Sequence, residues 1–131
     1  MTNDLKLVGH VPGLVMTAIL MIGAWAPGAA AQVSFEEDVF PILQQKCLEC
    51  HQPGGVGYEE SGLDMTTYEG LMKGTKYGPM VIPGNIIESN LLALIEHRTT
   101  PALWMPHGKK KLSLCERQAI RSWVAQGALN N

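Results

Sequence analysis

Cys47-Leu48-Glu49-Cys50-His51 is the stretch on which the reading of this chain turns. It has the form C-x-x-C-H, the sequence to which haem c is attached. Two thiols three residues apart on one helical turn reach the two vinyl groups of a single porphyrin as thioethers, and the adjacent imidazole then lies under the iron. The motif implies one covalently attached haem c, with Cys47 and Cys50 as its tethers and His51 as the proximal iron ligand. Two other uses of paired cysteines compete with this reading. A thioredoxin-like dithiol needs a βαβ context that the chain's pattern lacks. A structural zinc site could take Cys47, Cys50, Cys115 and either His97 or His107, which accounts for the third cysteine but leaves the Cys50-His51 adjacency unexplained.

A second axial ligand decides whether such a haem passes electrons or does chemistry at the iron. Met105, His107, His97, Met80, Met72 and Met65 are the candidates. Met105 is preferred because Pro106 biases it toward extended backbone, so that a loop can bring a flexible thioether to the iron opposite His51. His107, two residues on, is its rival. Met65 and Met72 read as core filler, and Met80 lies in the apolar run Met80-Val81-Ile82, which suits packing on a porphyrin face. His97 falls at a helix end, where a cationic side chain favours the dipole.

Around the motif the chain reads as short helices joined by long loops. Ser34 with Glu37, Thr66 with Glu69, Asn85 with Glu88 and Ser113 with Glu116 each set a capping side chain three residues before a Glu, which predicts four helices. Apolar residues recur at helical spacing in three of them: Phe35, Val39, Ile42 and Leu43; Leu91, Leu94 and Ile95; Ile120, Trp123 and Val124. Pro41 predicts that residues 35–47 form two pieces, with the proline near the start of the second. Gly127 offers a left-handed end to the last helix. The glycines and prolines between Gly54 and Gly108 mark loops, and no period-2 run is long enough to make a sheet.

The chain has 131 residues, with 10 Lys+Arg against 12 Asp+Glu and a formal net charge of −2. That permits one small domain and gives no support for nucleic-acid binding through clustered cations. The 46% hydrophobic fraction is inflated by the block from Val11 to Ala26, which has no charged side chain. This block follows Lys6 and ends in Ala29, Ala30 and Ala31, the small-residue pattern accepted by a signal peptidase before Gln32. As a helix it would rise roughly 24 Å, short of the roughly 30 Å hydrocarbon core, which favours a cleaved signal. A longer uncleaved anchor through residues 7–31 stays open. Both versions divide the chain into an export segment, residues 1–31, and a working domain, residues 32–131, on the periplasmic side of the membrane. A domain of that size buries a limited core and commonly relies on a covalent or metal staple. Cys115 reads as a partly buried helix residue, with an intermolecular disulfide as the alternative.

The chain resembles the small monohaem class I-like c-type cytochromes, in particular the cytochrome c domain abundant in planctomycete proteins. The resemblance is carried by Phe35 to His51, Ser61 to Gly74, Gly78 to Gly84, Ser89 to Leu92, Trp104 to Gly108 and Lys111 to Ala128. It implies an all-α class I cytochrome c-like fold of about four short helices and long loops wrapped around one covalent haem. It implies His51 and Met105 as the iron ligands, with Met105-Pro106-His107 standing where the family has Met-Pro-Pro; the His at 107 and Cys115 are the departures. It also implies that Pro79 marks the backbone support of the proximal imidazole, and Trp104 reads as a haem-packing or core aromatic. Lys109, Lys110 and Lys111 form the one basic run, suited to a docking surface or to a solvated loop.

The expected function is single-electron transfer between redox protein partners, without enzymatic activity. The alternatives are a haem subunit fixed in a membrane redox complex, and a haem peroxidase or gas sensor whose sixth ligand is labile or absent.

Overall fold

The computed structural model describes residues 31–131. The expected export segment therefore lies, except for Ala31, outside the described residues. Among the described residues no helix is long and apolar enough to cross a membrane.

Five α-helices form among the described residues: α1 (Phe40–Lys46), α2 (Val56–Ser61), α3 (Tyr68–Lys73), α4 (Asn90–Ile95) and α5 (Leu114–Ala125). No strand forms among the described residues, and the one β-type pairing is an isolated bridge between Thr75 and Gly78. The fold is all-α, with one helix more than the capping signals predict.

Ser34 starts the domain as read from sequence. Its hydroxyl accepts from Glu37 N–H at 3.1 Å and caps a wide π-type turn, Phe35–Val39, that runs into α1. The change of winding falls where Pro41 requires it: the proline sits in the first turn of α1, where its missing N–H costs nothing. The last helix keeps its full capping box, with Ser113 and Glu116 each bonding the other's backbone N–H. It ends at Gly127, whose φ of 102° is glycine territory.

Two start signals are displaced. Thr67 caps α3 in place of Thr66, because the Thr66 hydroxyl and N–H are both given to Asp64 Oδ1, at 2.6 and 2.9 Å. Asn85 caps a turn, accepting from Ile87 and Glu88 N–H, and α4 starts only after Ser89. Helix α2 lies in the glycine-rich stretch read as loop, closed by left-handed Gly62 at φ 74°.

The core gathers Phe35, Val39 and Leu43 from the first segment, Leu71 from α3, Leu91, Leu92 and Ile95 from α4, and Ile120, Trp123 and Val124 from α5. Aromatic rings concentrate here: Phe35 meets Trp123 at 5.4 Å and Tyr68 edge-on at 5.2 Å between centroids. The Trp123 indole N–H donates to Leu129 O and the Tyr68 hydroxyl to Ala128 O, both at 2.8 Å, so neither ring buries an unpaired polar tip. Asn131 is tied to the segment that leads into α1. Asn131 O accepts from Glu36 N–H at 3.1 Å and from Ser34 Oγ at 2.7 Å, and Asn131 Oδ1 accepts from Phe35 N–H at 3.0 Å.

Candidate functional site

Helix α1 runs directly into the paired cysteines. Cys47 N–H donates to Leu43 O at 2.8 Å, and the next turn closes on Cys47 itself, whose carbonyl accepts from Cys50 and His51 N–H at 3.1 and 3.0 Å. Cys47, Cys50 and His51 therefore share one turn. The chain then folds back over it: Tyr58 N–H donates to Cys50 O and Met65 N–H to His51 O, each at 2.9 Å. Gly55 makes this return possible, since a Cβ there would lie 2.5 Å from Cys50 O.

The His51 ring is held by α2. A Cβ at Gly57 would come within 2.7 Å of His51 Cε1 and 2.9 Å of Nδ1, so the imidazole edge rests on the bare glycine. Nδ1 is fully buried and has no hydrogen-bond partner. Nε2 is the ring nitrogen that is not sealed in without a partner. Burial lowers the imidazole pKa below its ordinary value, so the ring is neutral near pH 7, the form with a lone pair to give a metal. The carbonyl support expected beside Pro79 is not made: Pro79 is exposed, and its turn packs against Gly74.

Cys47 and Cys50 are both half-buried and unbridged. Burial, with Cys50 beside it, pushes the Cys47 thiol up to about 11 and keeps it protonated. Cys115, expected to be partly buried, is instead exposed, because its position on α5 faces away from Ile120, Trp123 and Val124. Among the described residues no three His, Cys, Asp or Glu side chains converge on a point that could hold a metal, so the proposed four-ligand zinc set is not assembled.

Met105 reaches its place through a loop that leaves and returns to α4. Its N–H donates to Leu94 O at 3.2 Å, and its carbonyl accepts from His97 Nε2 at 3.2 Å. The Met105-Pro106 peptide is cis. The Met105 side chain is half-buried against the hydrophobic core, whereas His107 is exposed. The remaining candidates are engaged elsewhere: Met65 and Met80 are buried in the core, Met72 packs against it, and His97 gives Nε2 to the Met105 carbonyl. Trp104 is half-buried and lies flat on His97, with ring centroids 4.4 Å apart.

The basic run is only partly free. Lys109 pairs with Glu49 of the cysteine turn, joining the Met105 loop to it, and Lys111 donates to Glu96 O at 2.7 Å; Lys110 is exposed. Two shallow hollows flank α5, one reaching Leu114, Cys115 and Ser122 and the other Lys46, Lys111 and Arg117, and neither includes His51 or Met105.

These donors fit a covalently held haem. Two thiols and a neutral imidazole share one turn, only one of the imidazole nitrogens is sealed in without a partner, and a thioether stands in a loop tied to the same turn. Sequence reading missed Gly57 and the His97–Met105 bond, since both depend on contacts between segments that no local spacing reveals. The family model described as Planctomycete cytochrome C matches residues 47–106, from the first cysteine of the turn to the proline after Met105. Neither the curated proteins nor the solved structures give a match.

Proposed function

From the match of residues 47–106 to the family model described as Planctomycete cytochrome C, we propose that this protein is an exported, one-haem c-type cytochrome that carries single electrons between redox proteins. When bound, haem c supplies reversible one-electron Fe(III)/Fe(II) chemistry. Cys47 and Cys50 tether it through thioethers, and His51 ligates through Nε2. The packing on Gly57 sets the plane of the imidazole and limits its rotation. Met105 is the second ligand. Its half-buried side chain and doubly anchored backbone support it over His107, which is exposed.

With haem c bound, a thioether held in this loop would serve as the iron's second protein ligand, favour the reduced form and keep outside ligands off, which suits electron transfer and not turnover. The turn and the Met105 loop are both fixed by backbone hydrogen bonds, so little of the chain has to rearrange when charge changes. Contacts with partners are expected to be small and short-lived. Export is the final part of the proposal, resting on the uncharged block before Gln32.

The observation that carries the reading is the single turn bearing Cys47, Cys50 and His51, with the His51 Nδ1 sealed and Nε2 left as the nitrogen to ligate. Its test is the intact mass and visible spectrum of protein made with the haem-attachment machinery. One covalent haem, a mature chain starting at Gln32 and a low-spin ferric spectrum with the weak long-wavelength band of methionine ligation are the expected result. High-spin iron that binds cyanide rapidly would overturn the electron-carrier assignment.

A further inference from the structure

His97 stands at the exit of α4 in a left-handed conformation, φ 60°, uncommon for residues other than Gly, Asn, Asp and His. What its ring does there is specific. One face stacks on Trp104 at 4.4 Å and an interplanar angle of 5°, and Nε2 donates to the Met105 carbonyl at 3.2 Å. Trp104 is itself fixed, its indole N–H donating to Thr99 O at 2.9 Å. The Met105 N–H is taken by Leu94 O. Both backbone polar groups of Met105 are thus held from the end of α4, one by that helix's carbonyl and one by the His97 ring.

The base of this clamp is rigid. Glu96, the neighbour of His97, accepts from Arg98 Nε at 2.7 Å and from Arg121 of α5 at 2.9 Å, and its carbonyl accepts from Lys111. The turn carrying His97 is therefore bolted to the last helix, and the ring projects from a fixed point onto the one loop whose side chain the proposed function uses.

We propose that His97 is a positioning residue for the axial thioether: its Nε2–H, bonded to the Met105 carbonyl, holds the loop so that the Met105 sulfur stays on the iron against competing ligands. This rests on Met105 being the second ligand. The same bond also occupies Nε2, one of the two nitrogens through which His97 could itself ligate.

The test uses holoprotein, wild type and variants, with ferric imidazole affinity, the methionine charge-transfer band and Tm measured on each. Asn tolerates the left-handed backbone, but its amide stops one bond short of the Nε2 position. His97→Asn should therefore bind imidazole about tenfold more tightly, the factor that one net hydrogen bond supplies, with a weakened charge-transfer band. His97→Gln, whose amide can reach the carbonyl, should recover most of the wild-type affinity. His97→Phe, which keeps the stack on Trp104 but has no donor, should behave as His97→Asn. Wild-type imidazole affinity in both His97→Asn and His97→Phe overturns the proposal. So does failure of His97→Gln to recover, since bulk or stacking would then explain the change. Met105→Ala separates the two levels: if wild type lacks the methionine band and Met105→Ala leaves the spectrum unchanged, the ligand assignment falls and the clamp with it.

Discussion

At Gly57 two residue-scale effects oppose each other. The residue lies inside α2 and outside the left-handed region, where replacing glycine by alanine ordinarily gains about 1 kcal/mol. A methyl group there would press on His51 Cε1 at 2.7 Å, and overpacking of this kind costs about 1–3 kcal/mol. The clash lands on a ring fixed by its own backbone turn, so Gly57→Ala should lower the holoprotein's Tm and disturb its visible spectrum; a raised Tm with an unchanged spectrum would show that the ring is not seated on the glycine. Residue identities were legible where the chemistry is contiguous: Cys47, Cys50 and His51 are read from five letters, and the structure sets them on one turn. Gly57 was not, because nothing local says that a glycine six positions on will return to face the imidazole. The difference between Met105 and His107 is likewise one of burial, which two adjacent letters do not record.

Among the elements, α5 was the most legible, since its cap, apolar stripe and terminal glycine agree with one another. Ser113→Ala should cost about 1 kcal/mol, read from denaturant unfolding. Glu116 adds a pH dependence. The Ser113 backbone N–H, then the Ser113 hydroxyl and Lys46, hold its carboxyl below the ordinary glutamate range. A lowered folded value means that its contribution is complete above the unfolded value, about 4.3, and is lost as pH falls through the folded one. Glu116→Gln should therefore flatten the acid side of the Tm–pH curve. Glu96 is the corresponding joint between α4 and α5. Burial opposes its charge, but hydrogen bonds from Arg98 and Arg121 outweigh that and lower its pKa. Glu96→Ala should cost about 1.5–3 kcal/mol in thermal or denaturant unfolding, the usual range for hydrogen bonds to a charged group. The misread elements share one cause. Thr66 and Asn85 have the right side chains for caps, but Asp64 captures the first and a tight turn uses the second. Helix α2 escaped because its glycines are there for close approach to Cys50 and His51, and composition alone reads them as loop.

Across the whole molecule, four of the chain's few aromatic residues, Phe35, Phe40, Tyr68 and Trp123, are drawn into one cluster. They come from the first segment, α1, α3 and α5, which the cluster draws together. Of the three cysteines, the proposed tethering leaves Cys115 alone as a thiol, and it is exposed. Native holoprotein should thus take up one equivalent of iodoacetamide by intact mass, and uptake of three would refute thioether attachment. The join between residues 33–36 and Asn131 was invisible in sequence, because its partners are nearly a full domain apart along the chain. It makes the path of the backbone almost a closed ring, so the order in which the ring is traversed is secondary to the contacts it makes. A circular permutant that links Asn131 to Val33 through a short flexible bridge and opens at the exposed Lys76–Tyr77 turn should fold and hold its cofactor with the parent's spectrum.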